Sequence, residues 1–315
     1  MQKVSPMIHQ YRLPTACLLL CLVTAAGAEE ARRPLVLLSD FGLTERFVAS
    51  MKGVALSIDP QLQVHDLTHQ IEPFNIWQAS YMLAGTIDYW PKGTVFVSVV
   101  DPGVGTDRRS VVAKTSSGHY VVTPDNGSLT LVADSQGIAE VRQIDEAVNR
   151  RPGSEDSHTF HGRDVYSYTG ARLAAAIIDF EAVGPLLESG IVRLNYRQPK
   201  ILDENTITGN IMHIEMPFGN VVTNIPRSLV DSLALSPEDN SMVLVEISRA
   251  GETVFRREVH YVLSFGFVDR GQPLLYPDSL QSIGLAVNNG DFARQFGIEG
   301  GAEWTIRLIK AAVAQ

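Results

Sequence analysis

Residues 34–38 run from Pro34 into leucine and valine and end at Ser39-Asp40-Phe41-Gly42, the composition of a buried strand. Apolar residues then recur at helical spacing (Phe47, Val48, Met51, Val54, Ala55, Ile58) until Asp59-Pro60 halts them. That pattern predicts a helix over 47–58. Residues 63–67 read as a short strand and 76–89 as a helix stopped before Pro91. Residues 94–100 (Thr-Val-Phe-Val-Ser-Val-Val) are apolar almost without a break, as expected of a strand covered on both faces. Strand, helix, strand, helix, strand predicts an α/β unit with a mostly parallel sheet. Residues 111–114 and 120–123 add strands, and 164–178 reads as a further helix.

The texture changes after residue 205. Short β-rich runs occupy 206–214, 242–248, 252–262 and 304–309, separated by turn residues. They predict a second, smaller, mainly β domain, with the boundary near 199–205, so that the domains are 34–199 and 200–315. The polar, turn-rich stretch 150–157 (Arg-Arg-Pro-Gly-Ser-Glu-Asp-Ser) reads as a surface loop. A length of 315 residues is compatible with two domains of roughly 150 residues each. With 45% hydrophobic and 19% charged residues, the chain has the composition of a packed globule rather than a disordered one.

The amino terminus is read as an address. Lys3 and Arg12 are the only charged residues before Glu29, an apolar run follows at 15–24, and Ala26-Gly27-Ala28 has the small residues of a cleavage site. These features predict a cleavable leader over 1–28 and an exported protein, periplasmic or secreted. The run is too short to span a bilayer comfortably, so no membrane span is expected after cleavage. Cleavage removes both cysteines, Cys17 and Cys21, and takes the net charge from −9 to −11. The mature chain then has no disulfide and no thiol nucleophile. An acidic chain gains nothing from counterion release, which argues against nucleic acid as a partner.

Polar residues gather where the parallel strands are predicted to end. Asp40 follows the first strand, Asp66 to His69 the second and Asp101 the third, at the edge where open α/β sheets bind ligands. Each alone could be a cap or turn residue; together they indicate a site. In Asp101-Pro102-Gly103-Val104-Gly105-Thr106-Asp107-Arg108-Arg109 the glycines allow close approach of backbone to a ligand. It is neither a P-loop, which needs Gly-Lys-Ser/Thr, nor a dinucleotide fingerprint, which needs a third glycine. His65 and His69 are four apart, but on a strand end rather than a helix, so a zinc pair is disfavoured. His158 to Asp164 is open to the same metal reading. Asp40-Phe41-Gly42 has the residue types of the kinase triplet without the accompanying motifs. Asn220, Asn224, Asn288 and Asn289 fit either turn chemistry or amide hydrogen bonding to a base or amino acid.

Taken in order, these stretches resemble the S-adenosylmethionine hydroxide adenosyltransferases, relatives of the adenosyl fluoride and chloride synthases. The resemblance is carried by Ser39-Asp40-Phe41-Gly42, Val64-x-Asp66-Leu67-Thr68-His69-x-Ile71-x-Pro73-Phe74, Gly93-Thr94-Val95 and Asp101-Pro102-Gly103-Val104-Gly105-Thr106. Pro124-Asp125-Asn126-Gly127, Thr159-Phe160-His161-Gly162-Arg163-Asp164 and Phe218-Gly219-Asn220 complete it. It implies an α/β amino-terminal domain, a β-barrel-like carboxyl-terminal domain and a homotrimer. The ligand would lie between one subunit's amino-terminal domain and its neighbour's carboxyl-terminal domain. The implied reaction is hydrolysis of S-adenosylmethionine to adenosine and methionine, with no metal and no cofactor, the S-adenosylmethionine being substrate.

The resemblance assigns the catalytic set to Asp101, Arg108 and His161. Halogenating relatives lose the Asp and carry Ser at the position of Gly162, which puts this chain on the hydrolytic side. It assigns Asp40 to the ribose hydroxyls, Phe74 to the flank of the nucleoside, and Asn195, Asn220 and Asn288 to the methionine or adenine. Glu215 stands where an Asp is usual, and 276–283 departs from the usual pattern. The mechanism implied is in-line attack on ribose C5′ by a water held by Asp101, Arg108 and His161, with the proton acceptor left open among them. The alternatives are a non-catalytic exported nucleoside or S-adenosylmethionine binder and a halide adenosyltransferase.

Overall fold

In a computed structural model the described residues are 32–310, together with Gln2; apart from Gln2, the leader expected over 1–28 lies outside them. The first sheet contains β1 (Leu35–Ser39), β2 (Val64–Thr68), β3 (Val95–Val99), β4 (Ser110–Thr115), β5 (Tyr120–Pro124) and β6 (Ile138–Gln143). They lie in the order β2-β1-β3-β5-β4-β6. β2, β1, β3 and β5 are mutually parallel, β4 runs against its two neighbours, and five of the six strands therefore share one direction. The mostly parallel sheet is the one the apolar runs predict.

The helices are α1 (Phe47–Ile58), α2 (Ile76–Ala84), α3 (Thr130–Gln136) and α4 (Tyr168–Ala174). Every residue of β1 and β3 is buried. Successive side chains alternate between faces. Leu35, Leu37, Val95 and Val97 pack with Met51 and Ala55 of α1 and Leu173 of α4. Val36, Leu38 and Phe96 pack on the other face with Ala79 and Leu83 of α2 and Val132 of α3. Two differences from the periodicity have local causes. The helix expected over 76–89 ends at Ala84, where Thr86 Oγ1 caps the Met82 carbonyl at 2.7 Å, and resumes as a 3₁₀ turn, Ile87–Tyr89. The helix expected over 164–178 begins as a π-helical turn, Gly162–Ser167, and ends before Ala176, whose φ of +55° is left-handed.

The remaining elements are β7 (Lys200–Asp203), β8 (Thr206–Glu215), β9 (Asn220–Pro226), α5 (Arg227–Asp231), β10 (Met242–Arg249), β11 (Glu252–Tyr261), β12 (Pro273–Pro277), β13 (Ser282–Val287), α6 (Phe292–Phe296) and β14 (Trp304–Lys310). Seven strands close into a barrel, β8-β14-β10-β11-β12-β13-β9, because β14 pairs with β8 as well as β10; β7 adds to β8 outside the ring. Closure leaves the ring no free edge. Trp304, Ile306, Leu308, Val245, Phe255 and Phe292 are among the residues that fill its core. β12, β13, β6 and α3 have no strong signature in the sequence pattern.

The segment between the two sheets is pinned along its length. Leu187 N–H donates to the Val141 carbonyl at 2.8 Å, Val192 N–H to Asp125 Oδ1 at 2.8 Å and Leu194 N–H to Thr130 Oγ1 at 2.8 Å. Arg197 N–H then reaches Asn210 of the barrel at 2.6 Å, and Trp77 Nε1 of α2 donates to the Met212 carbonyl at 2.7 Å.

α4 lies so close to β3 that a Cβ on Gly170 would stand 2.5 Å from Val97 Cγ2. Gly170→Ala is expected to destabilise by about 1–3 kcal/mol of overpacking, outweighing about 1 kcal/mol of gained helix propensity. A lowered thermal unfolding midpoint checks this; an unchanged or raised midpoint would show that the contact relaxes freely.

Candidate active site

From β1 the chain crosses through α1 to β2 on one side, and from β2 it returns through α2 to β3 on the other. Strand order therefore reverses between β1 and β3, and a crevice opens beyond their carboxyl ends. The register pairs Ser39 with Val99, so Asp40 and Asp101 emerge at that one point. A cavity of about 310 Å³ lies over it, with Asp40, Phe41, Phe74, Asp101, Phe160 and His161 among its walls.

The Asp101 loop turns back on itself through Val104 N–H to the Asp101 carbonyl (3.2 Å) and Thr106 N–H to the Gly103 carbonyl (3.2 Å). Gly105 has φ +77°, and a Cβ there would collide with the His158 carbonyl. The loop thereby delivers Arg108 back onto the carboxylate that begins it. Arg108 Nε donates to Asp101 Oδ1 at 2.8 Å and Nη2 donates to Oδ2, a two-pronged pair. Arg108 Nη2 also stands 3.1 Å from His161 Nδ1, and Nη1 donates to Ser110 Oγ at 2.8 Å. Tyr166 OH donates to Asp101 Oδ2 at 3.3 Å. The three residues that the resemblance groups are thus one hydrogen-bonded cluster, with Asp101 and Arg108 side chains only 5% and 12% exposed.

His161 precedes the π-helical turn, a distortion found often at functional sites. A Cβ on the next residue, Gly162, would stand 3.1 Å from the Phe41 ring and 3.3 Å from Val99, leaving little space for a larger residue. The far nitrogen of His161, Nε2, stands 3.1 Å from Arg150 Nη2. Burial pushes the His161 pKa down, and both arginines push the same way, against Glu146 and Asp101. The Asp40 carboxyl is raised above the ordinary aspartate range by burial and by the nearby Asp101, partly offset by Phe74 N–H, which donates to Oδ2 at 2.9 Å. Phe74 itself is held at φ +69° with 69% of its surface exposed.

Beneath the Asp40 loop, Ser39 Oγ meets His69 Nδ1 at 2.7 Å, and His69 Nε2 meets Asp66 Oδ1 at 3.1 Å. Ser39 is fully buried and accepts from Phe41 N–H, so this network braces the loop rather than presenting a nucleophile. His65 instead packs beside the Trp90 ring, apart from His69. Among the described residues no group of three or more His, Cys, Asp or Glu could hold a metal ion.

The barrel carries a separate cavity of about 900 Å³, lined by Glu215, Phe218, Asn220, Tyr276, Asn288 and Asp291 among others. Asn220 Nδ2 donates to Glu215 Oε2 at 2.9 Å, and Asn288 Nδ2 donates to the Val268 carbonyl at 2.8 Å. The two cavities share no residue. The structure therefore brings Asp40, Phe74, Asp101, Arg108 and His161 into one group and Glu215, Asn220 and Asn288 into another. Asn195 lines neither; it is exposed on the segment joining the two sheets. The residues the sequence reading missed are Arg150, Glu146, Ser110 and Tyr166. Arg150 falls in the stretch read as a surface loop, and nothing in the local sequence marks it.

The sequence matches the family described as SAM hydroxide adenosyltransferase, its N-terminal domain over 35–184 and its C-terminal domain over 209–305. A protein of Methanocaldococcus jannaschii named (R)-S-adenosyl-L-methionine hydrolase is 34% identical over 226 residues, covering 70% of this chain and 77% of that protein. A protein of Actinopolyspora mzabensis named fluorinase is 29% identical over 298 residues, covering 85% and 95%. A solved structure described as an uncharacterized conserved protein from Thermotoga maritima superposes with a TM-score of 0.78 at 35% identity, covering 88% of this chain and all of that one. With both domain matches in their expected order and a hydrolase relative at this identity, the chain belongs to the SAM hydroxide adenosyltransferase family.

Proposed function

We propose that the protein hydrolyses S-adenosyl-L-methionine to adenosine and L-methionine by in-line attack of water on ribose C5′. The observation that carries this reading is the Asp101–Arg108–His161 cluster in a crevice that Asp40 also lines. The hydrolase name of relatives at 34% identity supports it.

Asp40 accepts hydrogen bonds from the ribose hydroxyls and fixes C5′ relative to Asp101. A carboxylate has about four acceptor positions. Arg108 Nε uses one on Oδ1 of Asp101, while Arg108 Nη2 and Tyr166 OH use those on Oδ2. One position on Oδ1 is left for the attacking water. Both ring nitrogens of His161 already face guanidinium N–H groups, so Asp101 is the better proton acceptor. As the water oxygen bonds to C5′, the C5′–S bond breaks and its electron pair goes to sulfur, leaving neutral methionine thioether. The water's proton passes to Asp101 and then to solvent. Arg108 stabilises the developing negative charge on the oxygen. A sulfonium needs no general acid and no Lewis acid to leave, so the reaction as written uses neither metal nor organic cofactor.

The crevice of one copy is closed by the barrel cavity of another in a homotrimer, where Glu215, Asn220 and Asn288 hold the amino-acid and base portions. The apolar rims around the two cavities, Phe74 and Phe218, are 69% and 65% exposed in the single chain, as surfaces awaiting a partner would be. Residues 1–28 act as a cleavable leader, so the enzyme works outside the cytoplasm.

Purified mature protein incubated with S-adenosylmethionine is expected to release adenosine, read by chromatography. Asp101→Asn and His161→Ala are expected to lower turnover by about a hundredfold or more while binding persists. Binding without adenosine in the wild type would favour the non-catalytic binder; halogenated adenosine on adding chloride or fluoride would favour halide transfer. Asp40→Ala is expected to raise KM by about tenfold or more, the loss of hydrogen bonds to a charged group. Because the ionised carboxylate is the form that accepts the ribose hydroxyls, KM in the wild type should rise on acidification at a pH above that of an ordinary aspartate, about 4. Intact mass of the exported protein should correspond to a chain beginning at Glu29.

A further inference from the structure

We propose that Arg150 is a positioning residue for the reaction, clamping the His161 ring from the side opposite Arg108. The inference rests on the reading of the crevice as the site of S-adenosylmethionine hydrolysis.

Arg150 lies outside every motif that identified the site, yet its side chain is only 10% exposed and is fully committed. Nε and Nη2 donate to Glu146 Oε2 at 3.2 and 2.8 Å. Nη1 donates to the carbonyls of Ser154 and Ser157 at 3.0 and 3.1 Å. Nη2 also stands 3.1 Å from His161 Nε2. A guanidinium has five N–H groups in a fixed fork; four here go to Glu146 and the loop carbonyls, and the fifth faces His161 Nε2, which accepts it in the tautomer whose proton is on Nδ1. The fork joins the loop that precedes His161, the Glu146 carboxylate and the ring itself.

The connections close into a circuit. Ser110 Oγ accepts from Arg108 Nη1 and donates to Glu146 Oε1 at 3.4 Å, so the path Asp101–Arg108–Ser110–Glu146–Arg150–His161 returns to Arg108. The charged groups facing the ring are Arg108, Arg150, Glu146 and Asp101, two cations and two carboxylates, which balance. Each carboxylate is already paired with an arginine. A neutral ring turns its single N–H toward one guanidinium group; a protonated ring would turn an N–H toward both and would be the one uncompensated charge in a buried circuit. Arg150 therefore keeps the imidazole neutral and prevents it from rotating away from Arg108. A neutral ring also suits a substrate whose reacting centre is a sulfonium cation, which an imidazolium beside it would repel.

The test compares wild type, Arg150→Gln and Arg150→Lys by kcat and KM for adenosine release across pH, alongside NMR titration of the His161 ring. In Arg150→Gln the His161 titration and the acid limb of kcat should both move up by about one pH unit, because a cation opposing protonation is gone and Glu146 is left uncompensated. kcat should fall by about tenfold or more with KM little changed, since the ring loses its orientation while the ribose contacts remain. Arg150→Lys, which keeps the charge but not the fork, should restore the titration and only part of kcat. If Arg150→Gln lowers thermal stability while the His161 titration stays where it is in the wild type, Arg150 only anchors the 151–157 loop and the proposal is overturned. Should Arg150→Gln fail to fold, Arg150→Lys decides: wild-type kcat with the fork removed would overturn it. A wild type that releases no adenosine sinks the hydrolysis reading instead, and the ring titration still tests the clamp.

Discussion

The structure depends on a sheet that is apolar on both faces. β1 and β3 bury every residue, and their side chains alternate between α1 and α4 on one side and α2 and α3 on the other. Such strands can carry chemistry only where they end. The reversal of strand order between β1 and β3 leaves a gap in the covering at that end, and the polar residues of both strands emerge into it. The crevice is therefore a consequence of how the sheet is covered and not a separate feature laid upon it.

Charge placed in such a crevice must be matched, because an unpaired buried ion costs several kcal/mol. The protein meets this requirement with a closed circuit in which Asp101 pairs with Arg108 and Glu146 with Arg150, with His161 between the two guanidinium groups. The same pairing that makes the charges tolerable fixes their directions. Among the described residues, Asp101 takes one donor on Oδ1 and two on Oδ2. Below it, the buried Ser39–His69 contact braces the backbone that carries Asp40. Stability and preorganisation are here supplied by the same hydrogen bonds.

The barrel contributes differently. Its closure by the β14–β8 pairing gives it a core of its own, and its polar cavity stands apart from the crevice. The pinned segment between the sheets, with Asn195 exposed upon it, ties the two halves of one chain together without merging their cavities.

Much of this was legible in the sequence. Nearly continuous apolar runs at 34–38 and 94–100 determined a buried, mostly parallel sheet, since only coverage on both faces accommodates them. The same logic places Asp40 and Asp101, just after those runs, at one sheet edge, and both line the same cavity. The short strands β12 and β13 and the helix α3 were not legible, because barrel closure and neighbouring strands supply what their own periodicity lacks. Arg150 belongs by composition to a surface loop and Glu146 to no motif, and only the tertiary structure pairs the two and sets Arg150 beside His161. Sequence pattern reports what each segment must bury; which distant charges meet is settled by the pairing that burial then demands, and that pairing exists only once the chain has folded.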